Sequence, residues 1–212
     1  MKPKIYLDMD GTLVDFVLQV NKCGFWRKDN ENKVDWKKVK AMGPRFWSEM
    51  DWVYGAEDAF HKLHEMEAQG LCELYILSSI DFEEGREGKK QWIKSHTIFP
   101  LEKVIFVQEP EDKANYAAPD AILIDDRNKS LKPFEKAGGY SINVNFGWGH
   151  GWETVLVKVK LLLSGLSFTD NKIIDTFEKD DNKYELTEKI CDDDLQIVEI
   201  VNKTENTLDF KL

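Results

Sequence analysis

Four short apolar runs, each broken at its carboxyl end by polar residues, constrain this chain more than any other feature. Lys4 to Leu7 ends at Asp8 and Asp10, Leu74 to Leu77 at Ser78-Ser79, Val104 to Val107 at Gln108, and Ala121 to Ile124 at Asp125-Asp126. Runs this short and this apolar read as strands buried on both faces. Between them lie helical patterns at Ala56 to Gln69, Glu87 to His96 and Asn128 to Ala137, two of them closed by glycine. A helix is expected from about Leu13, and a fifth strand at Tyr140 to Val144. Strands alternating with helices predict an α/β fold, Rossmann-like, with a parallel sheet covered on both faces. Ligands in such sheets gather at the carboxyl ends of the strands, where the acidic and hydroxyl residues fall here.

One segment breaks the rhythm. From Phe16 to Val53 the chain carries a charged stretch, a Gly43-Pro44 break and the aromatics Phe46, Trp47 and Trp52, and it reads as a small helical cap inserted after the first strand. The expected organisation is a core of residues 1–15 and 54–165, a cap of 16–53, and a C-terminal appendage of 166–212. The appendage holds 13 acidic and 6 basic residues, seven of the ten net negative charges of the chain. Strand-like patterns at Lys183 to Ile190, Leu195 to Val201 and Thr207 to Leu212 suggest a small β unit there, with a flexible acidic tail as the alternative. No internal repeat is evident.

Composition excludes several classes of function. A net charge of -10 disfavours stable binding to nucleic acid or to an anionic membrane. Cys23, Cys72 and Cys191 are odd in number and widely spaced, which argues against a disulfide framework or a structural zinc site and for a reducing, cytoplasmic setting. The first apolar run is cut at once by Asp8, so no signal-peptide core is expected. Val155 to Leu166 contains Lys158 and Lys160 and is too short to span a bilayer.

The chemistry concentrates in Asp8-Met9-Asp10-Gly11-Thr12-Leu13-Val14. Two carboxylates this close repel one another, so a cation or a shared proton is needed to hold them together. Set after a strand, this stretch resembles the first motif, DxDGT, of the haloacid dehalogenase superfamily. The resemblance implies a hydroxyl at the end of a second strand, a lysine further on and paired acids after a later strand. Ser78 fills the first position, with Ser79 as the alternative, Lys113 the second, and Asp125-Asp126 the third. It further implies that Asp8 is a nucleophile toward phosphorus, that Asp10 is a general acid and base, and that Ser78 and Lys113 hold phosphoryl oxygens. Magnesium is implied as cofactor, bound by the Asp8 carboxylate, the Asp10 backbone carbonyl and one of the paired acids, with Asp126 favoured over Asp125.

Residues 4 to 150 also resemble the 5'(3')-deoxyribonucleotidase group of that superfamily. Phe16 follows the first motif, a Phe46-Trp47 pair lies in the cap, and Lys89-Lys90-Gln91-Trp92-Ile93 and Ile124-Asp125-Asp126-Arg127 match the group's segments after the second and fourth motifs. The cap is shorter, and Ile80 stands where the group has proline. The implied substrate is a (deoxy)nucleoside monophosphate, with Phe16, Phe46, Trp47, Lys89 and Arg127 around it. A phosphatase for sugar phosphates or nucleic-acid ends and a non-catalytic binding protein of the same fold are the alternatives. His61 and His64 share a helix face without a third metal ligand, Gly85 and Gly88 form no phosphate-binding fingerprint, and Gly147 to Gly151 reads as a turn.

Overall fold

The computed structural model describes residues 2–144, 151–164, 176–179, 182–188 and 198–202. The chain divides into two compact units, Met1–Leu156 and Val157–Leu212. The first is built on a five-stranded sheet of β1 (Lys4–Leu7), β4 (Glu73–Ser79), β5 (Val104–Val107), β6 (Ala121–Asp125) and β7 (Tyr140–Asn143). Its order is β5-β4-β1-β6-β7, and every pairing is parallel. The expected α/β architecture with a parallel sheet is therefore the observed one.

Alternation within the strands sorts the core into two layers. Tyr6, Tyr75, Leu77 and Leu123 lie on one face with Leu131 and Phe134 of α6 (Asn128–Lys136). Ile5, Leu7, Leu74, Ile76, Ile122 and Ile124 alternate with them and are all at most 2% exposed. Helix α4 (Ala56–Ala68) is tied to β4 through Glu67, which accepts from the Leu74 backbone N–H at 2.7 Å and pairs with Lys103 at 2.7 Å.

The order of the strands fixes where a ligand belongs. From β1 the chain moves outward to β4 and β5, then returns past β1 to β6 and β7. Successive connections thus diverge between β1 and β6, and the carboxyl ends of those two strands bound the crevice that open α/β sheets use for binding.

The helix expected from Leu13 begins instead at Phe16: α1 spans Phe16–Cys23. Asp15 caps it by accepting the Leu18 N–H at 2.8 Å, and residues 9–14 form a tight turn closed by Leu13 N–H to Met9 C=O at 2.9 Å. The helix expected from Glu87 starts earlier, as α5 (Glu83–His96). The inserted segment is not purely helical. After α1 it forms a hairpin of β2 (Trp26–Arg27) and β3 (Asn30–Val34), followed by α2 (Trp36–Met42) and α3 (Arg45–Ser48).

Three buried contacts lock α3 in place. The Gln19 side-chain amide donates to the Phe46 carbonyl at 3.0 Å, the Trp92 indole of α5 donates to the Met50 carbonyl at 2.8 Å, and α3 lies directly on α5 at Gly88. A β-carbon at Gly88 would stand 2.3 Å from the Pro44 carbonyl oxygen and 2.9 Å from Trp47 Cβ.

A helix α7 (Gly151–Leu163) begins in the first unit and ends in the second. The second unit contains an antiparallel sheet in the order β10 (Val198–Asn202), β9 (Asn182–Glu188), β8 (Thr176–Lys179). Two of the three strands anticipated in the appendage overlap β9 and β10; Thr207 to Leu212 lies outside the described residues, as does most of the Gly147 to Gly151 turn. No helix among the described residues is long and apolar enough to cross a membrane.

Because a methyl at Gly88 has nowhere to go, Gly88→Ala is expected to destabilise the full chain by about 1–3 kcal/mol in urea denaturation, the usual cost of forcing an extra group into a packed contact. An unchanged midpoint would mean that α3 does not sit on α5 in solution.

Candidate active site

Asp8 leaves the end of the central strand, and its backbone N–H still donates to the Ile124 carbonyl at 2.9 Å, so strand pairing sets the direction of its side chain. It is 4% exposed. The turn after it bends back at Gly11, whose φ is +77°; a β-carbon there would lie 2.5 Å from Asp126 Oδ2. Only glycine tolerates both the backbone and the approach. The Val53 N–H donates to the Leu13 carbonyl at 2.9 Å, which ties this turn to the far end of the inserted segment.

Lys113 comes from a short 3-10 helix (Pro110–Tyr116) whose first turn is fixed by a capping box between Glu109 and Asp112. Its ammonium group is fully buried, 2.7 Å from Asp8 Oδ1 and 2.5 Å from Asp125 Oδ2. Asp125 ends β6, is also fully buried, and accepts the Arg127 backbone N–H on its other oxygen at 2.8 Å. Asp126 differs. Its Oδ1 is buried without a hydrogen-bond partner. Asp8, Asp125 and Asp126 can each place an oxygen within 4.8 Å of the others.

A second buried lysine completes the cluster. Lys89 of α5 is fully buried; it donates to Ser78 Oγ at 2.9 Å and to the Ser79 carbonyl at 3.4 Å, and it pairs with Asp10 Oδ2 at 3.0 Å. The Ser78 hydroxyl is thereby the one drawn into the cluster, whereas Ser79 contributes its carbonyl.

These contacts separate the carboxylates electrostatically. Burial pushes the Asp8 carboxyl up, but the charge of Lys113, then of Lys89, and hydrogen bonds from Lys113 and the backbone outweigh it and hold the group below its ordinary value. Burial raises Asp10, and the charge of Lys89 only partly offsets it. Asp125 is raised by burial and by the charge of Asp8, against the pull of Lys113. Asp126 is pushed up to about 7 by burial and by the charges of Asp8 and Asp125. Lys113 is held above its ordinary value because Asp8 and Asp125 outweigh its own burial.

Two ammonium groups therefore face four carboxylates, and two buried carboxylate oxygens, Asp10 Oδ1 and Asp126 Oδ1, have no hydrogen-bond partner. That donor set is all oxygen, carries excess negative charge and suits a hard divalent cation such as magnesium.

Of the other residues singled out from the sequence, Phe16 is half-buried, with its ring 5.7 Å from Phe46 and 5.8 Å from Trp36. Phe46 and Trp47 are 0% exposed and packed on one another at 4.9 Å, so as folded neither offers a free face to a ligand. Arg127 hydrogen-bonds the cluster through its backbone N–H, and its exposed side chain acts on Asp126 only as a nearby charge. His61 packs beside Phe60 and His64 beside Phe99, and neither belongs to the carboxylate group. Trp36 and Phe82 were not anticipated. Trp36 is 47% exposed and lies between Phe16 and Phe82, and Lys40 Nζ stands 4.4 Å over the Phe82 ring. Nothing local in the sequence marks them, because hairpin and helix bring them beside Phe16 only in three dimensions. Cys72 is buried, its thiol pushed up to about 11 mainly by burial, and is no activated nucleophile.

A cavity of about 960 Å³ opens beside Gly11 and Asp126 and reaches Tyr54, Asp58 and Trp152. That volume suits a small molecule. Among the described residues that line it, Asp15, Asp58, Asp126 and Glu153 stand against one cation, Lys62.

No family model matches the sequence, and no curated protein matches it. Solved structures do share its fold. A haloacid dehalogenase-like family hydrolase from Xanthomonas campestris, 11% identical, aligns over 77% of this chain and 94% of its own with a TM-score of 0.52. A HAD-hydrolase from Bacillus subtilis bound to magnesium, 16% identical, aligns over 69% and 88% with a TM-score of 0.48. A HAD family enzyme from Bacteroides thetaiotaomicron in complex with magnesium and inorganic phosphate, 15% identical, aligns over 71% and 98% with a TM-score of 0.42. The first of these is close enough to establish the fold: the chain has the Rossmann-like architecture of haloacid dehalogenase-like hydrolases.

The raised Asp126 gives a pH-dependent test of cation binding. With a value near 7 in place of 3.8, the fold favours the protonated acid, so this group adds stability as pH falls through 7 and costs stability when ionised above it. A cation removes that cost but must displace the proton at lower pH. Magnesium is therefore expected to raise the melting temperature more at about pH 8 than at about pH 6, by calorimetry. An equal or reversed difference would place the cation elsewhere.

Proposed function

We propose that this chain is a magnesium-dependent phosphate monoester hydrolase that works through an aspartyl-phosphate on Asp8. One observation carries the reading: a carboxylate buried at the end of the central strand is held ionised by Lys113 at 2.7 Å, next to a second carboxylate, on Asp10, whose value is raised. Adjacent acids pushed in opposite directions suit one nucleophile and one proton donor. Asp8 would attack phosphorus in line while the bond to the leaving oxygen breaks and Asp10 gives that oxygen its proton. Water would then attack the phosphorus of the Asp8 adduct, Asp10 would take the water's proton, and inorganic phosphate would leave with Asp8 restored.

Ser78 and the two lysines, Lys113 and Lys89, would hold the phosphoryl oxygens; all three are buried and need no ordering when substrate arrives. Asp8, the Asp10 backbone carbonyl and Asp126 would hold magnesium, which supplies charge neutralisation for the phosphoryl group. Asp126 suits the direct ligand because its oxygen lacks a partner, whereas both oxygens of Asp125 are engaged. Residues 16–53 would act as a cap, limiting water and substrate at the strand ends.

For substrate we propose a (deoxy)nucleoside monophosphate. The acidic cavity disfavours substrates with further phosphates, such as an oligonucleotide end, and the accessible rings of Phe16 and Trp36 offer a surface on which a base can stack. The free thiols Cys23 and Cys72 fit a reducing, cytoplasmic location.

Phosphate release from a panel of monoesters with magnesium is the primary test. Asp8→Asn is expected to lower turnover by about 10³-fold or more with an unchanged circular dichroism spectrum, the scale seen when a nucleophile is removed. Phe16→Ala is expected to lower kcat/KM for a deoxynucleoside monophosphate by about tenfold, the scale of one lost stacking contact, and to leave a small alkyl phosphate unaffected. Equal losses on both substrates would assign Phe16 to packing.

A further inference from the structure

Asp10 is held on one side by an ion pair, and its other oxygen is buried and unpaired. Lys89 takes Oδ2 at 3.0 Å, while Oδ1 is buried without a hydrogen-bond partner. A buried donor is left in the same state: the indole nitrogen of Trp47 is likewise enclosed and has no hydrogen-bond partner. The Trp47 side chain lies within reach of the Asp10 carboxyl and favours its ionised form. Leaving both without a partner would cost about 1–3 kcal/mol for each group, so their mutual contact is the arrangement the fold favours.

Trp47 cannot easily turn elsewhere. It is 0% exposed, lies between Phe46 at 4.9 Å and Phe82 at 5.2 Å, and rides on α3, which Gln19 and Trp92 pin through the Phe46 and Met50 carbonyls. The contact of α3 with α5 at Gly88 sits one residue before Lys89, so one helix contact carries both Lys89 and Trp47. With both faces of its ring covered, Trp47 is a poor stacking surface and a well-fixed donor.

We infer that Trp47 is a positioning residue, whose indole N–H aims the Asp10 carboxyl at the leaving oxygen of the substrate rather than contacting the substrate itself. The inference rests on the phosphatase reading above, and it makes the inserted segment part of the catalytic geometry. An acid held by Lys89 alone could swing about one contact; held at both oxygens, it presents a single direction.

A general acid matters in proportion to how poorly the leaving group departs by itself. The test therefore compares kcat/KM, which reports the step forming the Asp8 adduct, for an alkyl phosphate and for p-nitrophenyl phosphate. Trp47→Phe keeps an aromatic ring and removes the N–H. It is expected to lower kcat/KM for the alkyl ester by about tenfold or more, a part of the range for general-acid catalysis, and to leave the p-nitrophenyl ester nearly unchanged. In an Asp10→Asn background the same substitution should have no further effect on the alkyl ester. Equal losses on both esters would overturn the positioning role while the phosphatase reading stands. A wild-type protein inactive on every monoester would overturn both. A second measurement does not require the Trp47 variant to fold: the indole N–H resonance of Trp47 should move in Asp10→Ala while those of the other tryptophans hold, and an unmoved resonance would contradict the contact.

Discussion

A single buried ammonium group, Lys113, lies between Asp8 and Asp125 and makes the rest of this site possible. Three charges at zero to six per cent side-chain exposure are tolerable only as a set, since removing one partner of a buried ion pair typically costs about 3–5 kcal/mol. The sheet order demands the cluster, because β1 and β6 end side by side at the point where the connections diverge. The lysine arrives from neither strand. A capped 3-10 helix between β5 and β6 delivers it, and that cap is exposed scaffolding in the service of a buried charge. The linkage follows from the shifts: Asp8, held low, contributes stability at neutral pH that is lost in acid, whereas Asp125 and Asp126, raised by burial and crowding, work in the opposite direction. The site thus holds excess negative charge, relieved by a cation or a proton.

The inserted segment is joined to this centre more closely than a lid on a hinge. Backbone bonds link Leu13 to Val53, the Trp92 indole reaches Met50, and Gly88 lets α3 touch α5. Lys89 pairs with Asp10 from one side of that contact, and Trp47, the partner we infer for its other oxygen, comes from the other. Packing in the segment and chemistry at the strand end are consequently one problem, and a change of volume at Gly88 bears on both.

Much of this was legible in the sequence. Four of the five strands are short, continuous apolar runs whose polar terminators mark the carboxyl edge, so the parallel sheet and the place of Asp8, Ser78 and Asp125-Asp126 at strand ends follow from those runs and their interruptions. The start of α1 was misjudged by about three residues, because Asp15 looks like part of an acidic run until it is seen to accept the Leu18 N–H. The hairpin in the insertion was missed because Trp26-Arg27 is too short to show alternation. Lys89 was marked as a substrate contact, but its pairing with Asp10 and Ser78 depends on how α5 lies against the sheet. The aromatics show the limit most clearly: sequence alone cannot distinguish a ring with an open face, as in Trp36, from one enclosed on both sides, as in Trp47.

The central claim is that phosphate passes through Asp8. Turnover of a monoester with magnesium, quenched rapidly in acid and treated with borohydride, converts an acyl-phosphate into the corresponding alcohol, so homoserine should appear at position 8 in peptide mass spectra. It should be absent without substrate and absent from Asp8→Asn. Steady phosphate release with position 8 unmodified, or with the alcohol at another acid, would contradict the assignment of Asp8 as nucleophile.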